Sequence, residues 1–202
     1  MKALILVDIQ NDFLPGGALA VPQGDAVIPA ANALQTEFGL IVATQDWHPA
    51  NHASFAANYP GKKIYDQIEL NGLSQTLWPV HCVQNTHGAE LAASLRKQSI
   101  TKIFQKGADA KIDSYSGFFD NGHQRSTGMG DWLKARGVTD TYVCGLATDY
   151  CVKFTALDGL QLGFKVFVVK DACRGVNLNP DDATKAIQEM KRAGARIINC
   201  TI

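Results

Sequence analysis

The sequence predicts an α/β fold of three α/β/α layers around a central, mostly parallel six-stranded sheet. Short apolar runs rich in Val and Ile alternate with longer segments of helical character, the rhythm of βαβ units. At 202 residues and 46% hydrophobic composition, the chain can fill one substantial core. No internal repeat, low-complexity tract or linker divides it, so a single domain over residues 1–202 is expected.

Strand one reads Ala3–Val7. A helix from about Ala26 to Glu37 stops at Gly39 and leads into strand two, Leu40–Thr44. Residues 46–88 carry Pro49, Pro60, Gly61, Gly72 and Pro79 without a clear period, the mark of a long irregular excursion. Excursions of that length inside a compact domain are usually functional. A short helix near Ala89–Lys97 precedes strand three, Lys102–Phe104, and a second irregular stretch covers residues 107–128. A helix at Asp131–Arg136 leads to strand four, Thr141–Leu146, followed by a helix from Thr148 to Leu160 and strand five, Lys165–Val169. The final helix is expected to start with Asn179 as N-cap and Pro180 in its first position, with Asp181 and Asp182 facing the positive end of the dipole. Strand six is Arg196–Asn199.

Composition narrows the function. Lys plus Arg equals Asp plus Glu at 19 each, so no global field attracts nucleic acid or an anionic membrane, and the expected partner is a small molecule. The apolar start breaks at Asp8, too soon for a signal peptide or a membrane span. Cys82, Cys144, Cys151, Cys173 and Cys200 are an odd set without CxxC spacing, which suits a reducing cytosol. No GxGxxG follows strand one and no P-loop is present, so a dinucleotide or triphosphate site lacks its phosphate cradle.

In open parallel sheets, ligands bind beyond the carboxyl ends of the strands, and right-handed crossovers bring those ends to one edge. Asp8 ends strand one, Asp46 and His48 follow strand two, Lys106 follows strand three, and Cys151 lies just beyond strand four in the first turn of a helix. A thiol in a sharp strand-to-helix turn faces outward N–H groups and a dipole that favours thiolate. A carboxylate flanked by a lysine and a thiol can take the thiol proton and return it to a leaving amine. Taken singly, Cys151 reads by default as a small buried hydrophobe, and Asp8 with Lys106 reads as well as an ion pair tying two strands together. Their convergence carries the functional reading.

Asp46-Trp-His48 sets a carboxylate and an imidazole two residues apart, pointing the same way in an extended segment, and His81 offers a third ligand. Two His and one carboxylate make an open metal site. His52 is a further candidate, either a fourth ligand or a group behind the other three; His87 and His123 read as polar surface. Aromatic residues accompany these groups: Phe13, Trp47, Trp78, Tyr115 and Tyr150, walls that would suit a flat heteroaromatic substrate.

The motifs Val7-Asp-Ile-Gln-Asn-Asp-Phe13, Gln45-Asp-Trp-His-Pro49, Trp78-Pro-Val-His-Cys82, Phe104-Gln-Lys-Gly107 and Gly145-Leu-Ala-Thr-Asp-Tyr-Cys151 resemble those of bacterial nicotinamidases, the nicotinamidase/pyrazinamidase branch of the isochorismatase-like cysteine hydrolases. The likeness extends over nearly the whole chain, including Asp113-Ser-Tyr-Ser-Gly-Phe-Phe-Asp120 and Asp171-Ala-Cys-Arg-Gly-Val176. The resemblance implies an isochorismatase-like hydrolase fold and hydrolysis of nicotinamide to nicotinate and ammonia in NAD salvage, with pyrazinamide as a further substrate. It implies Cys151 as nucleophile, Asp8 as general base and acid, and Lys106 as the group orienting Asp8. A cis peptide between Leu146 and Ala147 and an oxyanion hole from the N–H groups of Ala147 and Cys151 are also implied. Phe13, Trp78, Tyr115, Leu146 and Tyr150 would form the substrate pocket, in a cytoplasmic monomer or homodimer. Asp46, His48 and His81 would hold one divalent metal, zinc in first place, with iron and manganese as alternatives and His52 or Ser54 as a further neighbour.

Other readings compete. Amidohydrolases of ureido or carbamoyl substrates share the triad but not the metal site, and isochorismatase chemistry needs neither cysteine nor metal. A non-enzymatic metal-binding domain would leave Cys151, Asp8 and Lys106 unexplained.

Overall fold

The structure, a computed structural model, describes residues 1–200; the last two residues of the expected domain, 201–202, lie outside the described residues. Six strands form one parallel sheet: β1 (Lys2–Val7), β2 (Ile41–Asp46), β5 (Lys102–Lys106), β6 (Asp140–Leu146), β7 (Lys165–Arg174) and β8 (Arg196–Ile198). Their order is β5-β2-β1-β6-β7-β8, with every neighbouring pair parallel. A separate antiparallel hairpin joins β3 (Gln67–Leu70) to β4 (Leu73–Thr76). The helices are α1 (Val27–Leu34), α2 (Met129–Lys134), α3 (Lys153–Gln161) and α4 (Asp182–Ala193).

Successive side chains of a strand point to opposite faces, yet Ala3 through Val7 are all at most 1% exposed. Both faces of the sheet are therefore covered, which is the three-layer arrangement expected of an all-parallel sheet. Helices α1 and α3 pack on β6 and β7, and α4 packs on α3 and on the turn at Thr148–Val152. From β1 the strand order runs outward in both directions, so the topological switch lies at β1, where Asp8 emerges. Among the described residues no helix is long and apolar enough to cross a membrane.

Several elements depart from the sequence expectation. Strands β2 and β5 each run two residues further than expected, so Asp46 and Lys106 are strand residues paired across the ladder. The excursion over residues 46–88 contains the β3–β4 hairpin, whose tip is Asn71-Gly72. No α-helix forms over residues 89–97, where part of the backbone bonds instead to the chain just after β1. Ala92 N–H donates to Ile9 O at 2.9 Å and Asn11 N–H to Glu90 O at 3.0 Å. The segment at Thr148–Val152 is a π-helical turn ahead of α3. Strand β7 continues to Arg174. The last helix begins at Asp182 rather than Pro180, and Asn179 does not cap it: Asp182 Oδ2 reaches back to accept the Asn179 N–H at 2.8 Å.

Candidate active site

Strand ends deliver the reactive groups to one pocket. Asp8 follows β1 at φ 47°, a left-handed conformation that Asp tolerates because its short carboxylate bonds locally. Its N–H donates to Thr44 Oγ1 at 3.2 Å, and the Thr44 hydroxyl donates to Asp8 Oδ1 at 2.6 Å. Lys106 ends β5 with its side chain wholly buried, and Nζ lies 2.9 Å from Asp8 Oδ2. The same ammonium bonds Asp46 Oδ1, donates to Ser114 O at 2.8 Å, and stands 3.4 Å from Cys151 Sγ. Asp8 Oδ2 has no aligned hydrogen-bond donor, which leaves it a lone pair for the thiol. An atom each of Asp8, Asp46 and Cys151 lies within 4.8 Å of the others.

Electrostatics follow from burial. Desolvation raises the Asp8 pKa, against the pull of Lys106, and a second carboxylate on Asp46 adds to the rise. Asp46 suffers the same desolvation, but Lys106 and His48 overcome it and hold its carboxyl far below the ordinary range. Burial pushes the Cys151 thiol well up, Lys106 opposing, and the neighbouring Asp8 and Asp46 carboxyls add to the rise. A protonated thiol thus stands beside the Asp8 carboxyl, the group placed to take its proton on attack.

Beside the triad stands the candidate metal centre. Asp46, His48 and His81 present ligand atoms within 4.8 Å of one another. His48 Nδ1 pairs with Gly107 O at 2.9 Å and His81 Nδ1 with Pro79 O at 2.8 Å, so in each ring Nε2 is the nitrogen left to ligate. Gly107 sits at φ +63° with its Cα against the His48 ring, where a Cβ would fall 2.4 Å from Cε1. The buried set holds two carboxylates against one ammonium, a charge that a divalent cation offsets, and the donor types suit such an ion. His52 lies 4.3 Å from His48 ring to ring but outside this group: Nδ1 pairs with Ser54 Oγ at 2.8 Å and Nε2 with Ile112 O at 3.3 Å. Its grouping is instead with His48 and Asp113.

The pocket is lined by Phe13, Trp78, Tyr115, Tyr150 and Ala147 together with Asp46, His48, His81 and Cys151. Trp78 and Tyr150 meet edge to face at 4.8 Å, and Trp78 Nε1 donates to Tyr115 Oη at 3.2 Å. Leu146, expected in the wall, is instead fully buried beneath it; the Leu146–Ala147 peptide is cis. Leu19, Asp113 and Val176 line the pocket and were not singled out from the sequence. Asp113 and Val176 fall in motifs that carry the family likeness, whereas nothing local marks Leu19. The β4 residue Gln75 holds the far wall, its Nε2 donating to Asp113 Oδ2 at 3.0 Å and Tyr115 Oη at 3.1 Å. All five cysteines are free, Cys144 and Cys173 buried on their strands. His87 is exposed beside Glu90, and His123 pairs with Asp158 at 3.2 Å, both away from the pocket.

A thiol, a carboxylate and an ammonium thus meet beside one pocket at the carboxyl rim of a parallel sheet, in the architecture of an α/β hydrolase. An isochorismatase domain model matches residues 2–201, and the chain belongs to that family. A nicotinamidase of Escherichia coli is 52% identical over 200 residues, covering 97% of this chain and 93% of that protein. The solved nicotinamidase pyrazinamidase of Acinetobacter baumanii superposes with a TM-score of 0.96 at 48% identity, over 99% of this chain and 96% of that one. A pyrazinamidase of Pyrococcus horikoshii in complex with zinc superposes at 0.80 and 41% identity, over 98% of each chain.

Proposed function

We propose that this chain is a nicotinamidase, hydrolysing nicotinamide to nicotinate and ammonia and accepting pyrazinamide as well. The observation that carries the reading is Cys151 Sγ beside Lys106 and Asp8 in a buried aromatic pocket next to Asp46, His48 and His81. Relatives of that activity at 52% and 48% identity support it.

In the proposed course, the flat ring lies between the aromatic walls with its carboxamide over Cys151. The thiol passes its proton to Asp8 as sulfur attacks the amide carbon, and the oxyanion is held by the N–H groups of Ala147 and Cys151. Lys106 orients Asp8 and balances its charge. Asp8 then gives the proton to nitrogen, the C–N bond breaks, and ammonia leaves a thioester on Cys151. Asp8 next deprotonates a water that adds to the thioester carbon; the thiolate departs, takes up the proton, and nicotinate is released. Asp46, His48 and His81 would hold a divalent ion, zinc by analogy with the Pyrococcus structure, which when bound would supply a Lewis acid for the ring nitrogen. The protein would act as a single domain, monomer or homodimer, in the cytosol, where its free cysteines stay reduced.

Ammonia release from nicotinamide, before and after chelation, tests this reading. Release that chelation abolishes and zinc restores is expected. Failure of the metal-loaded protein to release ammonia would overturn it, and chelator-insensitive hydrolysis of ureido substrates would favour the metal-independent amidohydrolases.

A further inference from the structure

The triad and the metal ligands leave one acidic residue of the first motif without a task. Asp12 lies outside the pocket, yet its carboxylate joins two of the pocket's parts. Oδ2 accepts the Cys82 N–H at 2.7 Å, and Oδ1 accepts the Ala18 N–H at 3.2 Å. Its own carbonyl accepts the Leu19 N–H at 2.9 Å. On one side, then, it holds the loop from Phe13 to Leu19, whose two end residues line the pocket. On the other it holds the turn carrying His81.

That turn needs holding. Cys82 sits at φ 45°, a left-handed conformation that costs a residue with a Cβ and persists where surroundings fix it. Its carbonyl already accepts the His48 N–H at 3.0 Å, so the chain beside His81 is secured to the neighbouring ligand through the carbonyl and to Asp12 through the N–H. The chain also makes room for the carboxylate: a Cβ on Gly88 would lie 2.1 Å from Asp12 Oδ2 and 2.4 Å from Oδ1. Phe13 and His81 face each other with ring centroids 5.6 Å apart, so the two tethered segments meet inside the pocket.

We infer that Asp12 is a positioning residue that sets His81 for the metal and Phe13 and Leu19 for the substrate ring, through a single carboxylate bonded to both loops. This rests on the reading of Asp46, His48 and His81 as metal ligands. Partners that orient ligands typically contribute about 10–100-fold to metal affinity.

Zinc dissociation constants measured by chelator competition, with KM and kcat at saturating zinc, test it on the full chain. Asp12→Ala should weaken zinc by about 10–100-fold. At saturating zinc its kcat should recover while KM stays raised, because the Phe13–Leu19 wall remains loose. Asp12→Asn keeps an acceptor for only one of the two N–H groups and should fall between Ala and wild type. Gly88→Ala, which crowds the carboxylate off Cys82, should reproduce the zinc defect with Asp12 intact. A folded Asp12→Ala, or Asp12→Asn should the alanine variant not fold, with wild-type zinc affinity and wild-type KM would overturn the inference. Wild-type protein whose zinc affinity is indifferent to His81→Ala would instead remove the metal reading beneath it.

Discussion

Lys106→Met offers the sharpest perturbation of the buried charges, because it removes one ammonium and keeps the side chain's apolar length. At 2.9 Å and an effective dielectric of about 20, the gross attraction between Lys106 and Asp8 is about 6 kcal/mol. Desolvation of both groups consumes part of that, and deleting one member of a buried pair typically costs about 3–5 kcal/mol. The loss is realised here because Asp8 and Asp46 are left facing each other without a cation. For a chain of this length each kcal/mol lowers Tm by about 2–4 °C, so calorimetry of the metal-free variant should show a fall of about 6–20 °C. Lys106 also pulls the Asp8 pKa down, so its removal should move the acid limb of kcat/KM to higher pH. With the general base misplaced and its ionised form less favoured, turnover should drop at least about 10²-fold. A variant melting within about 2 °C of wild type and turning over within tenfold would refute the argument that Lys106 balances both carboxylates.

Three further outcomes follow from the same geometry. Burial raises the Asp8 carboxyl and its ionised form takes the thiol proton, so kcat/KM of the zinc-loaded protein should fall as pH drops through a midpoint above the ordinary value of about 3.9; a limb at or below that value in a pH–rate profile contradicts the assignment. Gly107→Ala drives a Cβ into the His48 ring at a positive-φ position and should cost about 1–3 kcal/mol in urea unfolding as well as weakening zinc, and unchanged zinc affinity would count against the role given to His48 Nε2. Benzamide, which lacks the ring nitrogen, should be hydrolysed at least about 10²-fold less efficiently than nicotinamide, since a polar partner would be left unmatched; parity between the two amides argues that the ring nitrogen is not read.

The central strands were legible because both sheet faces are buried there, which makes β1 a nearly unbroken apolar run. Their ends were less so: Asp46 and Lys106 look like loop residues in sequence, yet they continue the β2–β5 ladder because each supplies the other's counter-charge. The segment over residues 89–97 has the composition of a helix, but its Ala92 N–H and Glu90 carbonyl are taken by Ile9 and Asn11, a long-range competition that no local pattern records. The β3–β4 hairpin was hidden in the first excursion although Asn71-Gly72 is a hairpin turn pair. Asp8, Lys106, Cys151, Asp46, His48 and His81 could be gathered from the sequence since each stands at a strand's carboxyl end or in a motif of the family likeness. Leu19 could not be, as nothing in its local sequence marks it; it lines the pocket from a loop whose N–H at Leu19 bonds the Asp12 carbonyl. Leu146, expected in the wall from the family likeness, is fully buried and is not among the residues lining the pocket.

Rapid quenching of the zinc-loaded protein with nicotinamide, followed by peptide mass spectrometry, bears most directly on whether Cys151 carries the chemistry. A nicotinoyl group on the peptide containing Cys151, absent from Cys151→Ala, which should keep its zinc and fold but release no ammonia, is the expected result. Near-normal ammonia release by Cys151→Ala, or acylation at another residue, would contradict the account.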